Sequence, residues 1–411
     1  MDSENLGRAG LPGDDGWVAT QMVTGGAGRR PVIAGLGMTA LGKVYGRSAG
    51  QFAADAVRLA AADAGLALSD IDGLLTSSGL SGGVGLGLQR DLGLRDLRLL
   101  SQIQAYGSSA GAMVQYASMA VTAGMADVVA CVFADTPLQE NRPGGSAYAD
   151  PSWAGRGWAA LMAASGIVGA NTMYALAARR HMLAYGTTCE QLGMIAVAQR
   201  DWAALNPLAQ LREPITLDDY LGSRWIAEPF RLLDCCLISN GGIAVIVTSA
   251  ERAAELRQPP VHVLGWGQAH PGYTMARGSD FGLVSGAAQS GPAALKMAGV
   301  TLADIDVAEL YDCYTYTVLI TLEDYGFCAK GEGGPFVQSG VLGPGGSLAV
   351  NTGGGQLSSH YMWGMTPLSE AVIQARGQAG QRQRPRSDLV LVSGNGGVLD
   401  YHSTLVLGRD R

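Results

Sequence analysis

Apolar runs and amphipathic stretches alternate along the first part of the chain. The run from Pro31 to Gly37 predicts a buried strand, and the alanine-rich stretch from Ala49 to Ala64 predicts a helix packed on a sheet. A strand over 71–75, a helix of small residues over 110–123 and a strand over 127–133 follow. Strands that alternate with helices predict a layered α/β fold.

The same order of elements returns later in the chain. Strands are predicted over 261–264, 307–311 and 388–392, and helices over 287–298 and 367–376. A nine-residue segment also recurs, because AGLALSDID from Ala64 and AGVTLADID from Ala298 agree at six positions. These repeats predict a duplicated fold.

Chain length supports two fused halves, since 411 residues exceed what one hydrophobic core usually holds. We predict a flexible tail over 1–30, an N-terminal half over 31–255 and a C-terminal half over 256–411. The segment 138–232, with its Trp- and Arg-containing helices, breaks the alternation. We predict that it is an inserted cap that closes over a ligand.

Composition excludes several classes of protein. A net charge of −7 argues against a large nucleic-acid interface, which needs clustered Lys and Arg. The sequence has no long apolar run and no signal-peptide pattern, so we expect a cytoplasmic protein without a membrane contact. Six cysteines without a CxxC pair indicate free thiols rather than a metal site. Only 15% of the residues are charged, which suggests extensive subunit contacts.

Two glycine-rich segments match phosphate-binding motifs only in part. The segment from Gly37 to Lys43 has P-loop spacing, but Val44 stands where a magnesium-binding Ser or Thr is needed. The segment from Gly83 to Gly87 lacks the preceding strand of a dinucleotide fingerprint. Both are interpreted as loops.

A more specific signal lies around Tyr311. The segment 307–328, VAELYDCYTYTVLITLEDYGFC, resembles the part of thiolase-superfamily sterol-carrier and lipid-transfer proteins that carries a His-Asp-Cys-Phe motif, with Tyr311 in place of the His. Further matches follow in order: LLDCCLISNGG from Leu232, NTGGG from Asn351 and SGNGG from Ser393. The resemblance covers about residues 31–411. It implies an α/β, thiolase-like duplicated five-layer αβαβα fold with an inserted loop or cap domain.

The catalytic residues of thiolases are absent from the matching positions. Tyr106 stands at the position of the nucleophilic Cys, or Gly107 does if the match shifts by one residue. Tyr361 stands at the His of the Gly-His-Pro motif and follows His360. At the late Cys, residues 394–397 supply only backbone groups. An acyl-enzyme is therefore not expected.

Tyrosines suit aldol chemistry, because a phenol can take or give a proton when its surroundings stabilise the phenolate. The pattern resembles the thiolase-like lipid-transfer-protein aldolases of sterol side-chain degradation. The resemblance implies retro-aldol cleavage of a bulky β-hydroxyacyl-CoA into a ketone or aldehyde and a shortened acyl-CoA, with a steroid side-chain thioester as one candidate substrate. Tyr311 and Tyr361 are the predicted acid/base pair, without an assignment of which one is the base. Each tyrosine has the alternative of a core ring with a satisfied hydroxyl.

Further residues complete the predicted site. Tyr106 either contributes to catalysis or fills the space of the missing thiol, His360 is a candidate proton carrier, and Asp312 either orients the pair or accepts structural hydrogen bonds. The amides of two glycine-rich segments are predicted to bind substrate and hold the enolate oxygen. These residues are Asn351, Gly353, Gly354, Gly355, Gly394, Asn395 and Gly396. No metal or cofactor is expected beyond the CoA thioester substrate.

Two other functions remain open at this level. One is a catalytically silent acyl-CoA- or sterol-binding subunit, and the other is acyl transfer within the superfamily. The resemblance also implies partners: a homodimer that recruits two small zinc-ribbon OB-fold (DUF35-type) acyl-CoA-binding proteins into a heterotetramer.

Overall fold

The computed structural model describes residues 29–145, 157–167, 169–272 and 277–409. Of the predicted tail over 1–30, residues 1–28 lie outside the described residues. The strands are β1 Pro31–Met38, β2 Gly73–Ser78, β3 Leu99–Gln102, β4 Val128–Asp135, β5 Trp225–Ala227, β6 Phe230–Arg231, β7 Gly241–Ser249, β8 Val261–Ala269, β9 Val307–Glu309, β10 Ala349–Val350, β11 Leu389–Gly396 and β12 Tyr401–Gly408. The helices are α1 Ala49–Ala64, α2 Leu88–Asp91, α3 Ser109–Thr122, α4 Gly157–Ala164, α5 Gly169–Tyr185, α6 Cys189–Ala204, α7 Leu217–Gly222, α8 Ala250–Ala253, α9 Ala287–Ala298, α10 Thr315–Tyr325, α11 Gly333–Gln338 and α12 Met365–Ala375.

The main sheet contains the same five-strand pattern twice. Its strand order is β10-β9-β11-β12-β8-β1-β7-β4-β2-β3. In the first half, β2 pairs in parallel with β3 and β4, and β7 runs antiparallel between β4 and β1. In the second half, β9 pairs in parallel with β10 and β11, and β12 runs antiparallel between β11 and β8. The predicted duplication is confirmed.

Helices divide this sheet into layers. Helix α1 packs on β1, β4 and β7, whereas α9 packs on β8 and β12. Helices α3 and α12 contact each other and strands of both halves, so they form a shared central layer. The order is helix, half-sheet, helix pair, half-sheet, helix, as expected for the five-layer fold.

The repeated nine-residue segment makes the same turn in both halves. Gly65 ends α1 and Gly299 ends α9, each with a left-handed φ, of 80° and 68°, that favours glycine. The last aspartate of each copy then binds the backbone at the start of the third strand that follows it, β4 in the first half and β11 in the second. Asp72 accepts a hydrogen bond from the Val128 N–H at 2.8 Å, and Asp306 accepts one from the Leu389 N–H at 3.1 Å.

The inserted segment packs on the C-terminal half. Its helix α6 contacts α10, α11 and the π-helical turn Gly355–Ser359, and its helix α5 contacts β5. Buried contacts fix it there: the Trp202 indole N–H donates to the Leu342 carbonyl at 2.8 Å, and His181 lies 3.0 Å from Glu323. The inserted segment thus covers the C-terminal half on the side of the sheet that contains β9. None of the described helices is long and apolar enough to cross a membrane.

Candidate active site

Tyr311 lies just beyond the end of β9, inside the C-terminal half. The preceding residue, Leu310, donates its N–H to Oδ1 of Asn351 at 2.6 Å, which ties this loop to the end of β10. Asn351 has a left-handed φ of 52°. The Tyr311 ring is only 3% exposed. Parallel strands β10, β9 and β11 therefore end together at one edge, and that edge holds the first predicted tyrosine.

Tyr361 reaches the same place from the segment between β10 and α12. It follows the π-helical turn Gly355–Ser359, and its N–H donates to the Ser239 hydroxyl at 3.0 Å. The phenolic oxygens of Tyr311 and Tyr361 are 3.2 Å apart, which is hydrogen-bond distance. Tyr361 is half-buried whereas Tyr311 is buried. The two predicted acid/base residues form one pair, reached from the Tyr361 side.

Asp312 connects the loops of the two tyrosines. Its fully buried carboxylate accepts hydrogen bonds from the N–H groups of Gln356, at 2.8 Å, and Leu357, at 3.1 Å. Burial raises the pKa of Asp312 to about 7, and the two backbone donors oppose that shift. Asp312 thus accepts structural hydrogen bonds from the π-helical turn that precedes Tyr361, and its orienting role toward the tyrosine pair stays a prediction.

Gly107, rather than Tyr106, faces the tyrosine pair. A Cβ placed on Gly107 would lie 2.2 Å from Cζ of Tyr311, so the ring occupies the space of any side chain there. Tyr106 is 47% exposed, with its ring centroid 5.8 Å from that of Trp363. Tyr106 therefore does not fill the space of the missing thiol. The alternative match, with Gly107 at that position, describes the geometry, and a catalytic role for Tyr106 stays a prediction.

His360 points away from solvent behind the pair. Its Nδ1 is 2.9 Å from the Ser359 hydroxyl, and its buried Nε2 has no hydrogen-bond partner among the described residues. It lines a small cavity together with Glu309, Glu370 and Arg382. Burial, with a smaller effect of Arg382, lowers the pKa of His360 to about 4. The imidazole is therefore neutral at pH 7, and its role as a proton carrier stays a prediction.

The glycines of the first glycine-rich segment pack closely against two buried carboxylates. A Cβ on Gly355 would lie 2.2 Å from the Asp312 carboxylate, and one on Gly353 would lie 2.9 Å from that of Glu370. The Gly354 N–H already donates to the Asn351 carbonyl at 2.8 Å. That amide is engaged within the turn, and substrate binding by this segment stays a prediction. The glycines allow the turn to approach the carboxylates.

The second glycine-rich segment lies closer to the tyrosines. Gly394, Asn395 and Gly396 form the end of β11, beyond the part that pairs with β9. The Asn395 carbonyl oxygen would lie 2.2 Å from a Cβ on Gly107, as Cζ of Tyr311 would. The end of β11 and the Tyr311 ring thus border the same small space at the start of α3. Backbone groups of this segment remain our prediction for the enolate site.

Thiol chemistry has no suitable group here. Cys313 follows Asp312, and burial raises the pKa of its thiol to about 12. Burial also raises the pKa of Cys236 well above its ordinary value. Neither residue forms a thiolate at neutral pH. No group of three His, Cys, Asp or Glu residues in the described ranges is arranged to hold a metal ion.

One residue of the site was missed by sequence reasoning. Tyr174, from helix α5 of the inserted segment, donates its hydroxyl to the Gly397 carbonyl at 2.6 Å. No motif marks it, because the inserted segment matches none of the sequence signatures. Its only sequence signal is an aromatic residue in a helix of small and polar residues.

Fold and site together define a thiolase-like protein that carries a phenol pair in place of a thiol. Comparison with known proteins agrees. A family model described as "Thiolase C-terminal domain-like" matches residues 267–409. The steroid side-chain-cleaving aldolase of Thermomonospora curvata is 39% identical over 392 residues, covering 92% of this chain and 98% of that protein. The 17-hydroxy-3-oxo-4-pregnene-20-carboxyl-CoA lyase of Mycobacterium tuberculosis is 39% identical, covering 84% of this chain and 91% of that protein.

A solved structure described as "Ltp2-ChsH2(DUF35) aldolase" is also similar. It superimposes with a TM-score of 0.82 at 37% identity and covers 94% of this chain and 99% of its own. This chain belongs to the thiolase-like sterol-carrier-protein family and, within that family, to the carbon–carbon lyases.

Proposed function

We propose that this lyase cleaves a β-hydroxyacyl-CoA by a retro-aldol reaction that the Tyr311–Tyr361 pair catalyses. The observation that carries the proposal is the 3.2 Å distance between the two phenolic oxygens. One phenol is buried and the other is half-buried, so a substrate that enters from the Tyr361 side meets both. A directly bonded pair of this kind can divide the roles of acid and base.

The two tyrosines together can take up and return every proton that the reaction moves. One tyrosine, as phenolate, removes the proton of the β-hydroxyl. The carbon–carbon bond breaks, a ketone or aldehyde leaves, and the bonding electrons form the thioester enolate. The other tyrosine protonates the enolate carbon. A proton then passes across the 3.2 Å contact and restores the starting state, so no further donor is required.

Steroid side-chain CoA thioesters are the substrate class that we propose. Two similar proteins carry names that refer to steroid side-chain cleavage and to a pregnene carboxyl-CoA lyase. Their 39% identity extends over 92% and 84% of this chain. The inserted segment borders the site and is the part expected to select the acyl group.

Partners follow from the same relationship. The description of the similar structure, "Ltp2-ChsH2(DUF35) aldolase", names a DUF35 protein. We propose a homodimer that binds two small OB-fold, zinc-ribbon proteins of this type, which contribute to acyl-CoA binding. All six cysteines of this chain are free thiols, which suits the cytoplasm, our proposed location.

A product assay tests the proposed reaction. The purified chain, alone and with a DUF35-type partner, is incubated with a panel of β-hydroxyacyl-CoA esters that includes steroidal and short-chain members. We expect equal amounts of a carbonyl product and a shortened acyl-CoA. In D₂O the shortened acyl-CoA should carry one deuterium at C2, because tyrosine hydroxyls exchange with solvent. Binding of the esters without any cleavage would contradict the proposal.

A further inference from the structure

Helix α5 of the inserted segment places a buried phenol against the end of β11. Tyr174 is 3% exposed, and its hydroxyl donates to the Gly397 carbonyl at 2.6 Å. The same oxygen lies 3.2 Å from Nδ2 of Asn395. A phenol has one proton, and Gly397 takes it, so the Asn395 amide has to be the donor in the second bond. Tyr174 thus fixes both the backbone and the side chain at this strand end.

The same helix also contacts the loop that carries Tyr311. Tyr314, three residues further along, donates its hydroxyl to Oδ1 of Asn171 at 2.5 Å. The ring centroids of Tyr174 and Tyr314 are 4.8 Å apart, and Phe230 stacks on Tyr314 at 4.8 Å. Aromatic contacts at these distances stabilise a defined ring orientation. One turn of α5 therefore binds both the end of β11 and the loop between β9 and α10.

The end of β11 and the loop that carries Tyr311 meet at the tyrosine pair. The Asn395 carbonyl oxygen and Cζ of Tyr311 would each lie 2.2 Å from a Cβ on Gly107. Burial, together with Cys313 and Tyr311, raises the pKa of Tyr174 well above its ordinary value, so this phenol stays protonated and remains a donor. Within the inserted segment, Tyr174 and Asn171 are thus bonded to segments that border the reacting groups.

We propose that Tyr174 is a positioning residue of the lyase, which sets the end of β11 relative to the Tyr311 loop, and that Asn171 supports it through Tyr314. The inserted segment would then contribute to the rate of the reaction as well as to the choice of acyl group. The inference rests on the proposed retro-aldol function.

Removing one hydroxyl tests the role of Tyr174. The variant Tyr174→Phe keeps the ring and loses both hydrogen bonds. Tyr316→Phe is the matched control, because Tyr316 is equally buried and its hydroxyl also donates to a backbone carbonyl, that of Gly282. Both variants are assayed as the full chain with its DUF35-type partner. Because small misplacements of catalytic groups cost up to about 100-fold, we expect a kcat about tenfold lower for Tyr174→Phe only.

The split between kcat and KM distinguishes positioning from stability. We expect the KM of Tyr174→Phe to stay within about twofold of wild type, because the substrate still binds. Equal kcat values for Tyr174→Phe and Tyr316→Phe would overturn the inference. Should Tyr174→Phe fail to fold, Asn171→Ala replaces it, since Asn171 is exposed and its loss leaves the core intact; a kcat equal to wild type would then overturn it. A wild-type chain that cleaves no β-hydroxyacyl-CoA would instead refute the proposed function.

Discussion

At Gly107, a single hydrogen atom in place of a side chain leaves room for the Tyr311 ring. A methyl group there would lie 2.2 Å from Cζ of Tyr311 and 2.2 Å from the Asn395 carbonyl oxygen. Real carbon atoms do not approach so closely, so one of the two groups has to move. The position next to the Tyr311 phenol is therefore sensitive to a small increase in side-chain size.

We predict that Gly107→Ala lowers kcat by about 10- to 100-fold, because the Tyr311 ring is displaced from Tyr361. Overpacking should also lower the free energy of unfolding by about 1–3 kcal/mol. The control is Gly222→Ala, at the end of α7, where no heavy atom lies within 4 Å of the new methyl group. Steady-state kinetics and urea unfolding measure both effects. Full activity in Gly107→Ala would contradict the described packing.

Two aspartates in the repeated segment stabilise the elements that hold the site. Asp306 accepts hydrogen bonds from the N–H groups of Asp388, at 2.9 Å, and Leu389, at 3.1 Å, at the start of β11. Asp72 accepts the equivalent bonds from Asp127 and Val128 at the start of β4. The repeated sequence thus encodes a repeated connection between a turn and a strand.

We predict that Asp306→Ala and Asp72→Ala each lower the free energy of unfolding by about 1–3 kcal/mol, because buried or partly buried N–H groups lose their acceptor. Urea unfolding of the two variants and wild type measures this. Thr301→Ala is a control, since Thr301 lies in the same turn on the exposed side. Losses for the aspartate variants that do not exceed that of Thr301→Ala would show that these bonds contribute little.

Most elements of the two halves could be predicted from the sequence. Helix α9 has its predicted bounds, and β1, α1 and α12 agree within about two residues at each end. Strand β12 was not predicted, because His402, Ser403 and Thr404 interrupt its apolar pattern. In the fold these polar residues are buried and bonded, for example Thr404 to the Ser290 hydroxyl at 2.7 Å. Such long-range pairing has no local signal.

The candidate site was predictable to a similar degree. Tyr311 and Tyr361 were found through positions that resemble known catalytic residues, and the fold brings their oxygens to 3.2 Å. The contribution of Tyr174 was not predictable, because its contact with Gly397 joins residues 223 positions apart. The choice between Tyr106 and Gly107 also needed the fold, since adjacent residues point in different directions at the start of a helix.

For the molecule as a whole, buried histidines affect how stability depends on pH. His402 is fully buried, and its Nε2 is 3.1 Å from the Tyr325 hydroxyl. Burial lowers the pKa of His402 to about 3, whereas an unfolded histidine titrates near 6.5. Below pH 6.5 the unfolded chain binds a proton that the native protein does not bind. The histidine therefore makes the native state less stable as the pH falls from about 6.5 toward 3.

We predict that His402→Gln, which retains a group at the Nε2 position, reduces this acid sensitivity. From pH 6.5 to pH 5, wild type should lose about 2 kcal/mol more of its unfolding free energy than the variant. Urea unfolding at both pH values gives the two losses of unfolding free energy. The contributions of the buried carboxylates cancel when the loss of one protein is subtracted from that of the other, because both proteins contain these carboxylates. Equal losses in the two proteins would mean that His402 takes up its proton at the same pH in the native and unfolded states.

In the proposed reaction, a pair of phenols without any thiol cleaves the carbon–carbon bond. The most direct test is the turnover of a β-hydroxyacyl-CoA by wild type, Tyr311→Phe and Tyr361→Phe, each with the DUF35-type partner. Because loss of an acid/base group typically costs about 10²- to 10⁴-fold, kcat should fall at least about 100-fold in each variant, with the melting temperature unchanged. Unchanged turnover in both variants would contradict the account.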